Sequence, residues 1–284
     1  MSALAASHPT LLDLSKRLDP DGKIDVIAEI LTQENPILED MNFVEGNLPT
    51  GHRTTIRTGL PTPTWRKLYG GVQPTKSNTA QVTDSCGMLE AYAEVDKALA
   101  DLNGNTAAFR LSEDRAHIEG MAQELASTII YGNEGDQPEA FTGLAPRYNS
   151  LSAANADNIV SAGGTGSDNT SIWLVVWGDQ TLHGIYPKGS RAGLDMQDKG
   201  QVTIENVDGS GGRMEAYRTH YRHDCGLTVR DWRFAARVCN IDVSALTSDG
   251  TAADRAAAQK ALINFMVQAS ERIPSLSKGR AVWY

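Results

Sequence analysis

A chain of 284 residues, 40% hydrophobic and 21% charged, holds enough apolar material for one large domain or two ordinary ones, which excludes wholesale disorder. Its net charge of −9 argues against a general nucleic-acid binder, which needs a basic face. Three cysteines without paired spacing suit a reducing compartment and buried or half-buried thiols, not a disulfide scaffold.

The opening MSALAASHPTLLDLSKRL lacks the basic start and unbroken apolar core of a signal peptide. No window reaches the roughly 18 consecutive apolar residues of a membrane span, so a soluble cytoplasmic product is expected. Residues 1–44 read as an arm. Leu11, Leu12, Leu14 and Leu18 suggest one short helix and Ile24 to Leu31 another, before Asn35-Pro36 breaks the pattern. Such short helices need a surface to pack on.

Residues 46–83 contain no Asp or Glu but carry Arg53, Arg57, Arg66, Lys67 and Lys76. Thr54 to Arg57 and Trp65 to Tyr69 read as two strand-like pieces punctuated by Pro and Gly. With few large apolar residues the segment cannot bury itself, and an isolated hairpin is marginal in water. A mobile surface loop is the simpler account. A long flap that lies on an acidic partner is the one favoured here, and copies of the same acidic chain supply that partner.

Met88 to Leu102 is predicted as a helix from Tyr92, Val95, Leu99 and Leu102, with Asn103-Gly104 ending it. Ser112 to Tyr131 is predicted as a long amphipathic helix. Ser112 would cap it, Glu113 and Asp114 would face its positive end, and Ile118, Met121, Leu125 and Ile129 form the apolar stripe. Gly132 stops it. A turn-rich link follows, in which Phe141 and Leu144 tuck the chain back. From Ala153 the texture turns β-rich. Ile172 to Trp177 is a buried strand and His183 to Tyr186 a shorter one. Val202 to Val207 and Met214 to Arg222 form a hairpin around Gly209 to Gly212, and Leu227 to Val229 and Phe234 to Ile241 continue the sheet. Ala252 to Ile273 is a third helix, and Ala281 to Tyr284 begins a strand.

Few residues suggest chemistry. The glycine loop at 163–166 has no lysine and precedes a strand, so it fails as a phosphate loop. His220 and His223 point to opposite faces of one strand and cannot converge on a metal with Cys225 and Cys239. Glu113 and Asp114 diverge on a helix and make no acid–base couple. No nucleophile elbow is present. Catalytic, cofactor and metal sites are therefore all expected to be absent.

The order of parts resembles the major capsid proteins of tailed bacteriophages, the Hong Kong 97 fold, in the subfamily of major structural proteins. The likeness is carried by Phe141 to Tyr148, Ser171 to Gly178, Ile185 to Gly189, and a GL…DxR…R…NI pattern: Gly226-Leu227, Asp231 to Arg233, Arg237 and Asn240-Ile241. It implies an α+β fold with an N-terminal arm (1–44), an extended β-hairpin or E-loop (45–84) and a peripheral domain with a spine helix (85–150). Further peripheral strands and an axial domain would fill 151–284, an axial domain shortened after the strand at Gly279 to Tyr284, where family members usually continue.

The resemblance implies assembly without catalysis. Hexamers and pentamers of one chain would form an icosahedral head shell around double-stranded DNA bound without sequence preference, made in the bacterial host cytoplasm and kept in the virion. An acidic wall suits that cargo, since a basic one would hold phosphates too tightly. Portal and scaffolding or decoration proteins are expected partners, a membrane is not, and Arg53, Arg57, Trp65, Arg66, Lys67 and Lys76 are the candidate inter-subunit contacts. An encapsulin-like compartment or a soluble enzyme are the alternatives.

Overall fold

The structure, a computed structural model, describes residues 35–102, 106–205, 211–247 and 251–284. The two helices expected in the arm lie outside these residues. The chain forms two units interleaved along the sequence. One takes in Met88–Ser127 and Gly193–Asp224, and the other Ile37–Gly87, Thr128–Ala192 and Cys225–Tyr284.

In the first unit, the later part of strand β3 (Asn78–Asp96), strand β7 (Asp195–Glu205) and the start of strand β8 (Arg213–Val229) are crossed by most of the helix Thr106–Tyr131. β7 and β8 form the expected hairpin, with Val202 opposite Ala216 and Asp195 opposite Arg222. Val95, Leu99, Ala100 and Phe109 make one apolar cluster, and Ala93, Met121 and Tyr221 another.

The helix expected over Met88 to Leu102 is not formed. β3 runs to Asp96, and a helix occupies only Lys97–Asp101. Ala93 and Val95 are buried while Met88 and Tyr92 are exposed, which is the period of two of a half-covered strand. The apolar spacing that suggested a helix is shared by chance between the strand and the turn after it. The long helix also begins six residues before Ser112, at Thr106. Thr-Ala-Ala-Phe-Arg-Leu favours helix well enough to extend it, and Phe109, 1% exposed, anchors the added turns. Met121, Leu125 and Ile129 are buried as expected, whereas Ile118 is exposed at the edge of the stripe.

The second unit is a sheet centred on β5 (Asn169–Trp177), whose Trp173 to Trp177 are all buried. β5 runs antiparallel to β9 (Ala235–Asp242) on one side and to β10 (Arg280–Trp283) on the other. β6 (Leu182–Tyr186) pairs with the end of β8 and with β1 (Phe43–Glu45), and β4 (Ile159–Ser161) pairs with β9. The helix Ala252–Arg272 starts on a capping box of Thr251 and Asp254. Phe141 and Leu144 are buried, as the link's sequence suggests. Tyr284 exchanges backbone hydrogen bonds with Trp173, donates its hydroxyl to Asp40 at 2.6 Å and accepts from Trp177 at 2.8 Å.

The GL…DxR…R…NI residues all serve this unit. Asp231 takes both Nε and Nη2 of Arg233, at 2.9 and 2.7 Å. Arg237 stacks 5.1 Å from the Trp173 ring centroid and binds the Tyr148 carbonyl and Ser171 hydroxyl. Asn240 holds φ +56°, a left-handed conformation that Asn tolerates better than most residues.

Candidate inter-subunit surface

The acid-free segment is an antiparallel flap. Strand β2 (Gly51–Gly59) pairs with the start of β3, with His52 opposite Asp84 and Ile56 opposite Ala80. Nine residues at roughly 3.3 Å each give an arm of about 30 Å. The second strand is not Trp65 to Tyr69. Pro61, Pro63 and Pro74 deny donors to a ladder there, and Thr79, Val82 and Thr83 supply the β-branched partner instead.

Trp65 to Tyr69 lie at the tip, where Gly70 N donates to the Lys67 carbonyl in a turn and Tyr69 has φ +60°. Trp65 is 104% exposed and Tyr69 101%, with Leu60 and Leu68 nearly as bare. Arg57, Arg66, Lys67 and Lys76 are exposed too, and none has an ionic partner among the described residues. Arg53 differs, being closer to the root. Its Nε reaches Thr83 Oγ1 at 3.3 Å, and its backbone is held from both sides by the Asn47 amide. The structure thus brings Trp65, Arg66 and Lys67 together at the tip, with Arg57 and Lys76 along the arm and Arg53 near its base.

The root carries residues that sequence reasoning missed. Asp84, with a side chain 3% exposed, meets Arg147 Nη1 at 2.7 Å and accepts from Thr228 Oγ1 at 2.5 Å. Arg147 also donates to the carbonyls of Thr142 and Leu227, so most of its fork is used. Glycines let three backbones close around this point. A Cβ on Gly51 would sit 2.0 Å from the Asp84 carbonyl oxygen, and one on Gly226 would sit 2.4 Å from that of Ser85. Beside them, the rings of His52 and His183 meet edge to face with centroids 6.0 Å apart. Only the composition of the flap could have pointed here, since nothing local in sequence pairs residue 84 with 147 or 228.

The other candidates are structural. His220 stacks on Tyr92 and lies 3.2 Å from Glu90, and Gly164 packs against the Asn240 carbonyl. Among the described residues no group of three or more His, Cys, Asp or Glu is arranged to hold a metal, and no helix is long and apolar enough to cross a membrane. Cys225 and Cys239 are buried and Cys86 half-buried, and none of the three is in a disulfide.

A family model described as major capsid protein GP7 matches residues 19–284. A chain of the bacteriophage Epsilon15 structure is 42% identical, with a TM-score of 0.76, covering 100% of this chain and 84% of that one. The capsid of a native GTA particle aligns at 11% identity and TM-score 0.53, over 79% of this chain and 95% of that one. The SrpI encapsulin of Synechococcus elongatus PCC 7942 aligns at 13% and 0.51, over 81% and 94%. These last two likenesses are of fold alone, so the encapsulin alternative is the less supported. Comparison with curated proteins gives no match. The family match along most of the chain, joined to a 42% identical phage structure over its full length, settles the matter: the chain belongs to the major capsid protein GP7 family, has the α+β Hong Kong 97 fold and is a structural protein of a bacteriophage capsid.

Proposed function

We propose that copies of this chain assemble as hexamers and pentamers into a closed icosahedral shell around double-stranded DNA, each flap lying across a neighbouring copy. The observation that carries this reading is the bare tip, where Trp65 and Tyr69 are fully exposed beside Arg66 and Lys67. Aromatic and arginine side chains are the usual anchors of an interface. A large apolar side chain gains about 1.5–3 kcal/mol when fully covered. Charge supports the same partner. The chain carries net −9 although its flap, residues 46–83, carries +5, so −14 resides elsewhere on each copy. A flap on one copy and its receptor elsewhere on the next make a heterologous contact, the kind that closes into rings.

In this reading the arm (1–44), flap (45–84), peripheral domain (85–150) and the rest (151–284) act as separate assembly parts, and Arg53, Arg57, Trp65, Arg66, Lys67 and Lys76 lie at contacts. The protein performs no catalysis and takes no cofactor. It assembles in the host cytoplasm and meets portal and scaffolding or decoration proteins there. Reversing Arg57, Arg66 and Lys67 to Glu tests the contact. The expected result is a folded, soluble subunit, unchanged by circular dichroism, that electron microscopy finds without shells. Normal particles from the triple variant would contradict the flap's role.

A further inference from the structure

The face that β2 turns inward at the flap's root is polar where a firm joint would be apolar. His52 and Thr54, two residues apart and so on the same face, both turn toward the body. His183, 1% exposed on β6, meets His52 from the other side. His52 Nδ1, His183 Nδ1 and Thr54 Oγ1 are buried without a hydrogen-bond partner among the described residues. Three unmet polar atoms at one seam weaken it, because each has given up water for nothing in return.

The charges around the seam determine what acid does to it. His52 faces Arg230 and Asp84, and His183 faces His52, Asp179 and Arg230. Asp84 is already matched by Arg147, and Asp179 accepts from the Asn42 amide. Two imidazolium ions would therefore join Arg230 in a cluster whose nearest carboxylate is already taken. We propose that the root of the flap is a proton-sensitive joint: charging His52 and His183 loosens β2 from β6 and frees the flap to swing. This joint exists within the single chain, whatever the tip touches.

Burial, then Arg230, lowers the His52 pKa against the pull of Asp84. Burial, then His52, lowers that of His183, although the Gly178 carbonyl and Asp179 oppose the shift. Both rings ionise near 6.5 when unfolded, so the folded joint declines protons that the open one accepts. Its stability is complete above about pH 6.5 and falls as pH drops below that value, levelling off under the folded pKa values.

Hydrogen exchange on the unassembled full-length subunit tests the joint. After correction for intrinsic rates, protection of the β2 amides is expected to fall several-fold between about pH 7.5 and 5.5. Protection in β9 should hold. His183→Phe keeps the ring without the charge and should clearly shrink the fall. His52→Gln, at a less buried position, should do the same and decides the matter if the first variant does not fold. Constant β2 protection in the wild type, or an equal fall in the variants, would overturn the proposal.

Discussion

Replacing Arg147 by alanine is expected to destabilise the subunit by about 3–5 kcal/mol, the usual cost of stranding one member of a buried ion pair. The loss is large because Asp84 cannot turn to water. Its side chain is 3% exposed, and after the change the Thr228 hydroxyl would be its one remaining hydrogen-bond donor among the described residues. The carbonyls of Thr142 and Leu227 would lose a donor as well. Against a typical total of roughly 5–15 kcal/mol, such a loss is a large fraction. Urea denaturation should show the midpoint falling while the slope stays constant. Arg147→Lys should recover only part, since an ammonium restores the charge but not the planar fork that reaches three acceptors. A change under about 1 kcal/mol in Arg147→Ala would mean that the root does not depend on this pair.

Gly226→Ala is expected to be the second severe change, by the opposite mechanism. Its added methyl would lie 2.4 Å from the Ser85 carbonyl oxygen, 3.1 Å from Ile185 Cγ1 and 3.2 Å from Cys86 Cα. Two of the three obstacles are backbone, so no side-chain rotation relieves them. β3 and β8 must part, which costs typically 1–3 kcal/mol and more where the backbone is held on both sides. Here it is so held, because Gly51 crowds Asp84 from β2. The expected readout is loss of hydrogen-exchange protection at residues 84–86 and 226–228, with Gly71→Ala as control. Gly71 has no atom near its would-be Cβ, so that variant should behave as wild type. Equal protection in Gly226→Ala would show that the strands have slack.

Much of this was legible in the sequence for physical reasons. A run of 38 residues without a carboxylate, broken by prolines and glycines, cannot fold on itself, and the flap followed from that. Trp173 to Trp177 reads as a strand because five large apolar residues in a row have nowhere to go but a core. Other features were hidden by ambiguity or by distance. The alanines of β3 suit a strand or a helix, so Met88 to Leu102 was open to misreading until the cover over Ala93 and Val95 was known. The flap's second strand was misplaced because Trp65 and Tyr69 have high β propensity, yet prolines on both sides leave them unpaired. The clamp at the root joins residues 63 and 144 positions apart, and the histidine seam joins two strands distant in sequence. No local pattern carries such information. The residues of the family pattern were legible as a set, but their use in packing β5 and β9 emerged only from the hydrogen bonds of Arg237 and Asp231.

A cryo-EM reconstruction of assembled particles tests the central claim most directly, at the side chains of Trp65 and Tyr69. Both are bare on the single chain; in the shell they are predicted to be covered by a neighbouring copy, with Arg66 and Lys67 near its carboxylates. A flap folded back on its own subunit, or a tip still bare in the finished shell, would contradict the account.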